Sequence, residues 1–211
     1  MIRQRIRIRF SKTGDLRLIS HRDLVRVWER LFRRAALRLS MSEGFHPKAK
    51  LNFPSALGLG IAGLDEVMEV EIDEPADVEQ LRRRLEPLCP PGLEILEITA
   101  PAEGSRKPQV VSMTYEVTVP DDRRQAAAEA ARHLMSLPQL LVKRANRDEP
   151  VDVRQELDTL EFEPGSGALK MKLMASRQAS ARPREVLEAV GLGDLEQLGR
   201  HLLRTRVELQ A

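Results

Sequence analysis

Residues 2–10, IRQRIRIRF, place Ile2, Ile6, Ile8 and Phe10 on even positions and Arg3, Arg5, Arg7 and Arg9 on odd ones. A period of two is the repeat of an extended strand, so the segment is expected to have one apolar face and one wholly cationic face. Its counterpart is Val67–Asp73, where Met68, Val70 and Ile72 alternate with Glu69, Glu71 and Asp73. If the two strands are neighbours, arginines face carboxylates across the ladder, which contributes about 0.2–1 kcal/mol per pair. The outer sheet face is then an Arg/Glu lattice or a surface toward another domain.

What lies between these strands sets the topology. Ser11–Asp15 reads as a turn, and Leu16–Ile19 continues extended. A helix starts at Ser20 or His21, with Asp23 favouring its positive end. Leu24, Val27, Trp28, Leu31 and Ala35 form its buried stripe, and Glu29 can pair with Arg33 one turn on. Leu37–Met41 is expected as a strand that the loop Ser42–Pro47 interrupts before Lys48–Phe53 resumes. Pro54–Gly63 reads as a flexible hairpin. Asp77 opens a helix over Val78–Leu88, and Leu93–Thr99 is a further strand. The order β-α-β-β-α-β is the ferredoxin-like unit.

Pro101–Pro108, PAEGSRKP, is a polar linker that separates residues 1–100 from 109–211. The second part repeats the pattern. Val110–Val119 is a strand, a helix runs from Asp121 to about Met135, and Leu140–Lys143 is a short strand. Val153–Glu163 pairs with Ala168–Met174 through Pro164–Gly167. Pro183–Val190 and Leu195–Leu203 are helical, and Thr205–Leu209 closes as a strand. The fold class is α+β, with two tandem ferredoxin-like domains.

Composition narrows the partners. The first fifty residues hold fourteen Arg and Lys against four acids, a net charge of +10, and the remainder twenty against twenty-eight, a net of −8. A basic first quarter predicts a polyanionic partner, with nucleic acid foremost. Aromatic content of 3% argues against an aromatic RNA platform on the sheet. No apolar run approaches the roughly 18 residues of a membrane helix, and the alternating start lacks a signal peptide's apolar block. No membrane partner is expected, and the cytoplasm is the expected location. A single cysteine, Cys89, cannot form an internal disulfide or a cysteine metal cluster. Without HxxxH, HExxH or paired cysteines, no metal or other cofactor is expected.

Residues 20–60 gather the chemistry. Arg22, Arg26, Arg30 and Arg34 step along one helix face, and the loop holds Ser42, Glu43, Gly44, Phe45, His46, Pro47, Lys48 and Lys50. Read as a continuous row, these cations suit phosphates; read alone, the row is a solvated face. Lys12, His21, Ser42 and His46 join the expected phosphate-binding set. His21, His46, Lys12, Lys48 and Lys50 also hold the parts of a metal-independent ribonuclease, with histidine as base or acid and lysine against the phosphorane. A third basic cluster, Arg177–Arg184, enters a helix and adds Arg182.

The run over residues 7–60, RIRFSKTGDLRLISHRDLVRVWERLFRRAALRLSMSEGFHPKAKLNFPSALGLG, resembles the opening of the bacterial radical-SAM-linked, or radical-SAM-associated, family. The matching features are Phe10-Ser11-Lys12 with Gly14, Ser20-His21 with Asp23-Leu24, and Ser42 through Lys48. Pro183, Glu185-Val186-Leu187 and Arg204-Thr205 also fit. One departure is the loop Phe45-His46-Pro47-Lys48, where the family pattern is close to Phe-Asn-Pro-His-Pro-Lys; His46 is the single histidine of this loop. The resemblance implies a domain of unknown function beside or fused to a radical SAM protein. The chain has no CxxxCxxC motif, so the iron–sulfur chemistry belongs to the partner. A weaker architectural likeness is to RAMP-class CRISPR endoribonucleases.

Three functions follow as expectations. The first is an accessory protein, not an enzyme on its own, that binds RNA and presents it to a radical SAM enzyme for modification or processing. The second is a RAMP-like endoribonuclease using His21 or His46 with Lys48. The third is a protein-interaction module that docks an acidic partner instead of nucleic acid.

Overall fold

The computed structural model describes residues 3–75, 77–145, 147–176 and 181–210. Ile2 and the Arg177–Ser180 part of the basic loop lie outside the described residues. The chain divides into two units, Met1–Gln109 and Val110–Ala211.

The first unit runs β1 (Gln4–Lys12), α1 (His21–Arg34), β2 (Leu51–Asn52), β3 (Ala62–Ile72), α2 (Val78–Leu85) and β4 (Leu93–Thr99). Its strand order is β4-β1-β3-β2 with antiparallel neighbours throughout, which is the ferredoxin-like arrangement. The alternation of β1 and β3 sets which face is covered. Ile6, Ile8, Phe10, Met68, Val70 and Ile72 are buried in one cluster with Leu24, Trp28, Leu31 and Phe32 of α1. The odd positions of both strands therefore form the face that the helices leave open.

α1 is fixed at both ends. The Ser20 hydroxyl accepts from the Asp23 N–H at 3.2 Å and donates to the Asp23 carboxylate at 2.6 Å. At the other end Ala36 adopts φ 52, and the Leu37 N–H reaches the Phe32 carbonyl at 3.0 Å. Arg84 of α2 donates to the carbonyls of Ala35 and Ala36 at 2.6–3.1 Å, a cation placed where the helix dipole is negative.

Beyond α1 the chain runs along β3 as an edge strand with an outward excursion. Leu39 bridges Ile72, residues 41–49 loop out, and Leu51–Asn52 rejoins Val70 and Glu69. The strand expected over Leu37–Met41 is thus reduced to bridges at Leu39 and Met41, and that over Lys48–Phe53 to the two residues of β2. Leu16–Ile19, expected to be extended, instead falls largely in a 3-10 turn over Gly14–Leu18. The Pro54–Gly63 stretch is anchored: Leu57 and Ile61 are buried, and the Gly60 N–H donates to the Arg17 carbonyl at 2.9 Å.

The second unit contains β5 (Val110–Thr118), α3 (Arg124–Ser136), β6 (Leu141–Val142), β7 (Val151–Asp152), β8 (Leu157–Glu163), β9 (Ala168–Met174), α4 (Pro183–Ala189) and β10 (Leu203–Leu209). The order β10-β5-β9-β8 repeats the ferredoxin-like plan, with the small β6-β7 hairpin inserted before β8. The helix expected over Leu195–Leu203 is a run of turns followed by the start of β10. Gly199, at φ 74, breaks it.

Candidate nucleic-acid interface

The cations of the first unit fall into two groups. Those on the open sheet face are neutralised. Arg7 donates to Glu69 at 3.0–3.1 Å, and Arg5 lies 3.7 Å from the same carboxylate. Arg9 holds Asp65 at 2.7 Å with Glu97 3.9 Å away, and Lys50 lies 3.4 Å from Glu71. Others are engaged locally: Arg17 with the Gly14 carbonyl, Arg26 with Asp23 at 3.0 Å, and Arg38 with Glu74 at 3.5 Å. Lys12 continues the even face of β1 inward, is 1% exposed, and donates to the Ile19 carbonyl at 3.1 Å. It is therefore enclosed by the fold, away from any ligand held at the surface.

The second group is free. Arg22, Arg30, Arg33 and Arg34 are exposed on α1 and have no acidic partner among the described residues. At about 100° per residue they fall, with Arg26, in roughly a third of the helix circumference, opposite the buried stripe. The Glu29–Arg33 pair expected from their spacing does not form among the described residues. Arg33, absent from the expected row, joins it because its acid is not spent on it. Lys50 departs from the row, since Glu71 holds it on the sheet face that α1 does not cover.

Lys48 sits on the looped-out segment, which has a closed base. Met41 bridges Ala49, and the Lys50 N–H donates to the Ser40 carbonyl at 2.9 Å. The Ser42 N–H donates to the Lys48 carbonyl at 2.8 Å, and the Ser42 hydroxyl accepts from the Lys48 N–H at 2.9 Å. Ser42 is thus a latch for the loop rather than a free phosphate ligand. Between the latch residues, Glu43, Gly44, Phe45, His46 and Pro47 are exposed, with Gly44 at φ 122.

The sequence model of DUF2344, described as "uncharacterized protein conserved in bacteria", matches residues 5–183, which span β1, α1, the loop and most of the second unit. The chain belongs to the DUF2344 family. No curated protein matches it. Among solved structures it is similar to the acetolactate synthase small subunit from Thermotoga maritima, at 10% identity and a TM-score of 0.28, over 100% of this chain and 97% of that one.

In this DUF2344 protein the residues of the expected ribonuclease are spread among different environments. The His21 ring packs edge-on against Phe53 at 5.1 Å, and Phe53 meets Phe10 at 6.4 Å. His46 is exposed on the loop, and neither ring makes a hydrogen bond among the described residues. Among the described residues no group of three or more His, Cys, Asp or Glu is arranged to hold a metal ion. No helix among them is long and apolar enough to cross a membrane. Arg182 belongs to the second unit. It is exposed, its N–H donates to Glu185 at 3.0 Å, and its guanidinium lies 3.9 Å from that carboxylate.

The arrangement suits polyanion binding by charge. Four exposed arginines and a latched lysine offer donors that reach phosphate oxygens without first leaving a carboxylate. Phe45 and Arg33 were the members that helix spacing and charge counting passed over. No sequence signal marks Phe45 as exposed.

Proposed function

We propose that this DUF2344 protein is an accessory RNA-binding subunit that presents RNA to a separate radical SAM enzyme. The observation that carries the RNA part is the unpartnered arginine face of α1, in a unit where the sheet-face arginines are matched by acids. A face that needed only solubility would not require five arginines within a third of one helix, four of them without an acidic partner among the described residues. Phosphates neutralised there release counterions, so binding falls steeply with salt; five contacts give a log–log slope of about −3.5 for a single strand. The partner comes from the family resemblance of residues 7–60, and the single cysteine of this chain leaves the cluster chemistry to another polypeptide.

The test is a gel shift of end-labelled total cellular RNA in EDTA at low and moderate salt. The wild-type protein shifts intact RNA in a salt-sensitive way, and Arg22→Glu/Arg30→Glu/Arg34→Glu/Lys48→Glu abolishes the shift while remaining folded. Unchanged affinity in that folded variant overturns the reading. Discrete cleavage lost in His21→Ala or His46→Ala replaces it with an endoribonuclease. Neither shift nor cleavage leaves a module that docks an acidic protein.

A further inference from the structure

Phe45 is fully open to water, with a relative exposure of 102%. Of the chain's five Phe, one Trp and one Tyr, Phe10, Phe32, Trp28 and Tyr115 are buried, and Phe53 and Phe162 are half-buried. One aromatic ring in so aromatic-poor a protein is thus held outside every core, forgoing the free energy that burial would gain.

The ring is presented by a built loop, not by a frayed segment. The Ser42–Lys48 latch and the Met41–Ala49 bridge close the base. Gly44, at φ 122, takes a backbone conformation that L side chains avoid, and so permits the bend just before Phe45. His46 and Lys48 follow the ring, both exposed and without an acidic partner among the described residues.

Four-stranded RNA-recognition sheets stack bases on aromatic side chains. Here the open face of β1 and β3 carries Arg5, Arg7, Arg9, Asp65, Glu69 and Glu71, paired with one another or with Glu97 and Lys50. It offers no ring. If bases are stacked by the first unit, the fully exposed ring is Phe45, with the exposed His46 imidazole next to it in the loop.

We propose that Phe45 is a stacking platform for an unpaired base and that the nucleic acid held by this site is single-stranded. The proposal rests on the RNA-binding reading above and narrows its substrate. Cations on α1 and at His46 and Lys48 follow the backbone, and the ring takes any base, because every base has a π-face. A duplex keeps its bases stacked internally and presents no free base face along its length to such a ring.

The experiment uses the full chain with a short polyuridine strand carrying one 2-aminopurine, alone or paired with its complement. The wild-type protein is expected to quench the 2-aminopurine fluorescence of the single strand. Phe45→Ala should bind that strand about tenfold more weakly, without quenching. Phe45→Trp should retain both affinity and quenching, and duplex affinity should be equal in all three proteins. The ring packs against nothing, so the variants have no core contact to lose. Equal single-strand affinity and quenching in wild type and Phe45→Ala overturns the stacking proposal and leaves the arginine reading standing. No salt-sensitive binding of either oligonucleotide overturns both and points the ring toward a protein pocket.

Discussion

Arg7 stands directly opposite Glu69 across the β1–β3 ladder, and its guanidinium donates from Nε and Nη2 to one carboxylate oxygen at 3.1 and 3.0 Å. Glu69 also draws Arg5 to 3.7 Å, and its own side chain is only 3% exposed. One carboxylate therefore compensates two arginines. The strongly basic first fifty residues are thus much less basic as a folded surface, and the charge left over is concentrated on α1 and the loop.

Removing that carboxylate strands two cations. Glu69→Gln keeps the shape and deletes the charge, and breaking a buried pair on one side costs about 3–5 kcal/mol. Arg5 and Arg7 are 17% and 27% exposed, so partial solvation reduces the cost to about 2 kcal/mol. Urea unfolding should show this loss, and Arg7→Leu added to Glu69→Gln should recover part of it. A change below about 0.5 kcal/mol would mean that the lattice is decorative.

In the second unit, Arg144 grips Glu185 at 2.7 Å with both side chains nearly buried. Burial alone pushes the Glu185 carboxyl up, but the Arg144 guanidinium and the Arg182 N–H together hold it below its ordinary 4.5. A depressed carboxyl stabilises the fold above 4.5, and that contribution is lost as the pH falls through the lower folded value. Arg144→Ala should cost about 3 kcal/mol near neutral pH and much less in acid, where Glu185 is protonated in either case. Carboxyl NMR should then find Glu185 titrating above 4.5 in the variant; a titration still below it would assign the depression to another group.

The alternation of β1 and β3 makes the facing of arginines and carboxylates legible in the sequence, because a period of two fixes the face and the split βαβ order makes the strands neighbours; the register that sets Arg7 opposite Glu69 is seen only in the structure. The same period placed Lys12 on the inner face with Ile6, Ile8 and Phe10, a signal outweighed by lysine's usual preference for the surface. Lys50 could be assigned to Glu71 only from the β2–β3 register, which depends on where a nine-residue excursion leaves and rejoins the edge strand. The turn at Gly14–Leu18 was hidden because Leu16, Leu18 and Ile19 look extended locally. It is set by Gly14 at φ 56 and by Arg17 bonding back to the Gly14 carbonyl. The exposure of Phe45 was beyond any pattern, since apolar residues in loops are buried as often as not by contacts distant in sequence.

Cys89 should be a poor nucleophile. Partial burial, aided by the nearby Glu86 carboxylate, pushes its thiol up to about 11. At about pH 8 only on the order of one molecule in a thousand then carries thiolate, the form that reacts. Iodoacetamide should label the native protein slowly at that pH and rapidly only on approaching pH 11, while the urea-unfolded chain reacts readily at both. The raised value also means that the fold loses this contribution as the pH climbs from the unfolded 9.0 through the folded value. Full labelling of the native protein within minutes at pH 8 would contradict the burial.

Two single substitutions with the same change in net charge separate the two classes of arginine. Arg9→Glu removes both contacts to Asp65, 2.7 Å each, and sets a third acid beside Asp65 and Glu97. It should lower stability by about 2 kcal/mol and leave the salt slope of RNA binding unchanged, because the lost cation was already neutralised. Arg30 is exposed, and Arg30→Glu breaks no ion pair among the described residues. Its stability should stay within about 0.5 kcal/mol of wild type, while RNA affinity falls several-fold and the slope of log affinity against log salt becomes shallower by about 0.7. If instead both substitutions weaken RNA binding equally, the long-range field of the whole unit is what attracts RNA. In that case the α1 face holds no particular phosphate.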